Sequence, residues 1–168
     1  AHEGVNGLLE ESLKSVMLSF REIATLDRTS YHELVQELSS GFMRGFNDFS
    51  GFTKDMYADS SETIGRSVME VAPDMSDAQD TANVFLKDVM RAVNSGVLLG
   101  VGSSSSADVD FYKSITERVS TGTMSSVMNY ESINQDLLNA LRMESMMGIQ
   151  DAATTLNQTQ TDLSIDVT

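Results

Sequence analysis

Residues 31–43 read Tyr-His-Glu-Leu-Val-Gln-Glu-Leu-Ser-Ser-Gly-Phe-Met, and residues 112–124 read Tyr-Lys-Ser-Ile-Thr-Glu-Arg-Val-Ser-Thr-Gly-Thr-Met. In both, a tyrosine is followed at helical spacing by aliphatic side chains (Leu34 and Leu38; Ile115 and Val119) and then by Ser-Ser/Thr-Gly-x-Met. Apolar residues three and four apart lie on one stripe of a helix, so both stretches predict amphipathic helices. Their likeness predicts an internal repeat with an offset of 81 residues.

A second match precedes the first in each copy. Leu13-Lys14-Ser15-Val16-Met17 corresponds to Leu86-Lys87-Asp88-Val89-Met90, here with an offset of 73. The difference predicts an eight-residue insertion around Ser103 to Ser106. Two duplicated halves, about residues 5–73 and 77–153, are expected to hold three helices each. A half of that size is small for a core of its own, so the halves should share one.

The same periodicity extends outward. Val5, Leu8, Leu9, Leu13, Val16, Met17 and Phe20 form the stripe of a first helix. Asp27 or Thr29 is placed to cap the second. Phe46, Phe49 and Phe52 follow it through a bend, as core plugs between the halves. A third helix is expected to open at Ser60 or Ser61 and to stop at Pro73, the only proline. A fourth should run from Ser76 or Asp77 to a C-cap at Asn94-Ser95-Gly96, with Gly100 to Ser106 as a loop. A fifth begins near Ala107 and a sixth near Ser132. The fold class is therefore all-α: a five- to six-helix bundle over residues 1–153, followed by a polar tail or linker over 154–168. That tail ends with Leu163, Ile165 and Val167 alternating like a strand. Tyr31 and Tyr112 are expected to be equivalent anchors, and Gly41 and Gly122 equivalent turn positions.

Composition excludes several functions. The chain has 168 residues, no cysteine and a net charge of −14. Without cysteine there is no disulfide framework, thiolate metal site or thiol nucleophile. The charge opposes binding to nucleic acid or to an anionic membrane surface. No run of sequence is apolar for the roughly 20 residues of a membrane helix. A first residue of Ala1 rather than Met fits a processed chain or a piece of a longer one.

Tests for chemistry find little. Gly96, Gly100 and Gly102 lack the order of a dinucleotide fingerprint and no Lys-Ser/Thr follows them. His2-Glu3 lacks the second histidine of a zinc-protease motif, and His32 has no partner for general base work. Asp74, Asp77 and Asp80 surround a helix start, where carboxylates favour the dipole more often than they bind metal. Asp108 and Asp110 open like a calcium loop but lack its glycine and its last glutamate. No catalytic, cofactor or metal residue is assigned, and the protein is expected not to be an enzyme. Asn157-Gln158-Thr159 is a glycosylation sequon. Eleven methionines suit either a plastic core or an adaptable surface.

The segments Tyr31 to Met43, Ala82 to Leu98 and Tyr112 to Met124, with the run Ser103 to Ser106 and 23 serines in all, resemble the non-catalytic repeat domains of spider silk proteins (spidroins). The chain is more acidic and richer in methionine than such repeats. The resemblance implies a structural domain of a secreted, extracellular protein. Such a domain is stored soluble and assembles into fibre or adhesive by self-association with other copies or neighbouring domains of the same chain. The charge suits storage, because repulsion keeps copies apart and weakens with salt or acid. The second reading is a helical binding module that grips an apolar ligand or a partner helix through a Met/Phe surface.

Overall fold

Three helix starts are set by a side chain that takes up an otherwise free amide. Thr53 accepts from the Met56 amide at 3.2 Å, Asp108 from Phe111 at 2.8 Å and Asn134 from Leu137 at 2.8 Å. The computed structural model describes residues 2–20, 28–75, 79–102, 104 and 107–159. Over these the chain forms α1 (His2–Phe20), α2 (Arg28–Gly45), α3 (Lys54–Val71), α4 (Gln79–Val101), α5 (Val109–Val127) and α6 (Gln135–Thr159). Short 3-10 turns occupy Phe46–Asp48 and Ala72–Met75. The fold is an all-α bundle of six helices, as the periodicity predicts, and no strand occurs among the described residues.

The helices pack in a chain of pairs: α1 on α3, α3 on α5, α2 on α4 and α4 on α6. α3 and α4 lie against each other in the middle. Leu13, Met17, Val35, Met43, Ile64, Val68, Met90, Ile115 and Leu141 are among the side chains closed off from solvent in one continuous core.

Glycines set how closely the helices approach. A Cβ on Gly122 of α5 would lie 2.2 Å from the Glu62 carbonyl oxygen of α3, and one on Gly65 of α3 would lie 2.8 Å from that of Val119. On α4, a Cβ on Gly96 would meet the Gln36 oxygen at 2.5 Å, and one on Gly100 the Ser40 oxygen at 2.6 Å. Gly148 of α6 stands in the same relation to Arg91 of α4, at 2.3 Å. These distances are too short for any side chain, so backbone lies on backbone.

Four expectations change, and the first two follow from these close crossings. α4 does not end at Asn94-Ser95-Gly96 but continues to Val101, so Gly100 and Val101 are helical rather than part of a loop. Asn94 is fully buried and its Nδ2 donates to the Met90 carbonyl at 2.7 Å. Gly41 and Gly122 lie inside α2 and α5 and are not turn positions. α3 opens at Lys54 behind its Thr53 cap, six residues before Ser60. Ser61 is buried mid-helix instead, with its hydroxyl donating to the Tyr57 carbonyl at 2.8 Å. In sequence, a glycine chosen for close approach looks the same as one chosen to end a helix.

The two halves correspond helix for helix at one offset. Thr53 and Asn134, the caps of α3 and α6, are 81 apart. So are Glu10 and Arg91, and Glu70 and Asp151. These positions join first helix to third in both halves. Lys14 bridges Glu10 at 2.8 Å and Glu70 at 2.6 Å, while Arg91 reaches Asp151 at 2.6 Å. Seven residues separate Phe20 from Arg28, and seven separate Val101 from Val109. There is thus no eight-residue insertion at Ser103 to Ser106, and the five-residue match at offset 73 reflects amphipathic pattern alone.

Pro73 lies in the 3-10 turn just past the end of α3, as expected. The tail begins later than Thr154, because α6 runs to Thr159 and buries Leu156. Asp27, Ser76, Asp77, and Leu163, Ile165 and Val167 lie outside the described residues.

Gly122→Ala should lower stability by about 1–3 kcal/mol through overpacking against α3. Gly41→Ala has nothing within 4 Å of the new methyl and should raise stability by about 0.5–1 kcal/mol. Thermal melts of dilute protein compare the two; a Gly122→Ala variant as stable as the Gly41→Ala variant contradicts the close crossing.

Candidate functional site

An apolar groove of about 490 Å³ lies between α1, the end of α2 and the 3-10 turn that follows. Leu9 and Phe46 form its floor and are buried. Leu8 and Phe49 form its rim and are 65% and 64% exposed. Gly41 and Gly45 line the α2 wall, and a Cβ on either would meet nothing within 4 Å. α2 therefore presents bare backbone to the groove, one helical turn long.

A second apolar surface lies on α5 and α6. Met128, Met143 and Met146 are 56%, 64% and 55% exposed. A shallow depression beside them is lined by Met124, Met128, Thr121 and Arg142. The methionines thus divide between the two roles open to them. Met17, Met43, Met69 and Met90 fill the core, while Met143 and Met146 of α6 and Met128 just past α5 face solvent. Exposed unbranched thioether side chains adapt to whatever packs on them.

The aromatic anchors behave unequally. Phe46 and Phe52 stack at 4.6 Å, Phe52 meets Tyr57 edge-on at 4.7 Å, and Tyr57 meets Phe111 of α5 at 5.5 Å. Phe46 and Phe52 therefore belong to a ring chain that crosses from the first half to the second. Phe49 is not a core plug; it stands on the groove rim, 6.5 Å from Phe52. Tyr31 is half-buried, edge-on to Phe85 of α4 at 5.3 Å. Tyr112 is buried, its hydroxyl has no hydrogen-bond partner among the described residues, and burial pushes its phenol up. The two tyrosines match in sequence but differ in surroundings.

Charged groups stitch helices together rather than converge. Arg118 of α5 pairs with Asp59 and Glu62 of α3. Arg66 of α3 reaches Glu10 of α1 at 3.2 Å. Tyr130 donates to the Met69 carbonyl at 2.5 Å; its burial, with Glu70 nearby, pushes its phenol well up. Among the described residues no three of His, Asp and Glu come together as metal ligands. Asp74 is exposed, and Asp77 lies outside the described residues. Asp108 spends its carboxylate on capping α5, and Asp110 lies in that helix's first turn. His32 is half-buried on α2. Asn157 lies in α6, half-buried, with its Oδ1 enclosed and unpartnered, a poor setting for a glycan. No described helix is long and apolar enough to cross a membrane.

No family model, curated protein or solved structure matches the chain.

Sequence reasoning missed the groove. Its signal is present as Gly41 and Gly45, four residues apart on the helix face that Leu34, Leu38 and Phe42 border, a spacing that composition alone does not separate from a turn.

Acid should loosen both halves. The Lys14 hydrogen bond holds the Glu10 carboxyl below the usual carboxylate range, against a burial effect that raises it and with help from Arg66. The amide of Phe111 does the same for Asp108, with Lys54 adding to it. A carboxyl lowered in the folded state contributes stability that is fully present above its ordinary pKa of about 4 and is lost as pH falls through the lowered value. Melting temperature followed from about pH 6 to about pH 2 should fall more for the wild type than for Glu10→Gln; parallel curves would remove Glu10 from this linkage.

Proposed function

We propose that the chain is a non-catalytic structural domain of a secreted silk-like protein, held soluble by its charge and able to self-associate into fibre or adhesive. One observation carries the reading. A chain of net charge −14 displays two separate apolar surfaces, the α1–α2 groove and the methionines of α5 and α6. Apolar patches of this kind mark contact sites, and the charge opposes contact until it is screened. The spidroin-like segments support the assignment to silk.

A helical binding module is the second reading, favoured by the size of the groove, which lies within the range of small-molecule sites. The two are separable. For the structural domain, light scattering should show growth in size as salt is added near pH 7 and as pH is lowered to about 5. For the binding module, fatty acids or hydrophobic dyes should raise the melting temperature of a protein that stays single-chain throughout. A constant single-chain size under all these conditions would sink the structural reading.

A further inference from the structure

The way the two halves pack leaves each end of the molecule open. α2 packs on α4 and α3 packs on α5, so the second and third helices of the first half meet the first and second of the other. A closed two-fold pairing would also place α5 on α1 and α6 on α2. Neither is among the packed helix pairs of the described residues. The halves are instead related head to tail, a step that can be repeated without closing.

Exposure follows this step residue by residue at the offset of 81. Gly96 and Gly100 of α4 lie on α2, with Val89 and Val97 fully buried beside them. Their counterparts on α1, which are Ser15, Ser19, Leu8 and Val16, are all exposed. Gly122 of α5 lies on α3 and Ser126 donates to the Arg66 carbonyl at 2.9 Å. Their counterparts are Gly41 and Gly45, the bare wall of the groove. On α3, Glu62 and Gly65 face α5. Their counterparts on α6 are Met143 and Met146, the exposed methionines. Ser40 is buried under Gly100, whereas its counterpart Thr121 is exposed. What one half buries inside the molecule, the other half shows at an end.

We propose that a second copy of this chain docks here, its α6 lying over Gly41 of α2 in the order in which α3 lies over Gly122 of α5, but at wider spacing because Met146, Ser15 and Ser19 stand where the internal crossings have Gly65, Gly96 and Gly100, so that copies join head to tail. The inference rests on the self-associating reading above and specifies its interface. Continuity with the internal crossing identifies the occupant: the face missing at one end is the face exposed at the other.

Two variants test this by capping one end each. Gly41→Arg fills the groove wall at a position with nothing within 4 Å, and Met146→Glu puts charge on an exposed site of α6. Met143→Glu repeats the second block independently, and melting temperatures near wild type confirm that all three fold. In sedimentation at rising concentration and moderate salt, wild type should grow without a fixed end point. Each variant alone should remain a single chain. An equimolar mixture of Gly41→Arg and Met146→Glu should stop at two chains, because one free end of each kind remains. A variant that grows like wild type, or a mixture that stays single or passes two chains, overturns the interface and leaves self-association standing. A wild type that never leaves the single-chain state overturns both.

Discussion

Contact of helix backbone on helix backbone at glycine is the constraint on which this bundle depends. Each of the three crossings α3–α5, α2–α4 and α4–α6 has at least one glycine whose missing Cβ would otherwise stand 2.2 to 2.6 Å from a carbonyl oxygen of the neighbour. Such contacts fix register as well as distance, since sliding either helix by one residue would bring a side chain to the crossing. They also explain the use of serine. Ser39, Ser40, Ser61, Ser67, Ser95 and Ser126 are all buried, where bulkier side chains would push the helices apart. Ser61 and Ser95 return their hydroxyls to carbonyls of their own helices, which limits the cost of burying a polar group. A serine-rich helix interior is thus a close-packing device as much as a compositional habit.

The charge is arranged around this frame rather than within it. Arg118, Arg66, Arg91 and Lys14 each tie a carboxylate of one helix to another helix. With 25 acidic and 11 basic residues, many carboxylates are left to face solvent, and their repulsion acts between molecules. The exposed apolar ends lie beneath that repulsion.

Much of the fold could be read from sequence. The all-α class, the stripes of the first, second and fifth helices, the stop at Pro73 and the 81-residue correspondence of Tyr31–Met43 with Tyr112–Met124 all follow from periodicity and spacing. The differences at Gly96 and Phe49 are tertiary in cause, and the one at the start of α3 is local. Asn94-Ser95-Gly96 has the composition of a C-cap, and the physical fact that keeps it helical is the α2 backbone 2.5 Å from the Gly96 Cβ position, a contact 60 residues away in sequence. The start of α3 was placed too late because Thr53 follows a glycine- and phenylalanine-rich bend that hid its capping role. Phe49 looked like Phe46 and Phe52, yet only tertiary placement puts it on a rim.

The sequence by itself determined that helices form, roughly where they lie, and that the second half repeats the first, because periodicity and capping are local properties. It also determined the net charge of −14. Only the tertiary structure decided which glycines are crossings, which methionines are core and which are surface, and that the halves join head to tail with unlike ends. Those outcomes depend on which helix lies against which, and two halves of similar sequence are equally compatible with a closed pair or an open step until the packing is known.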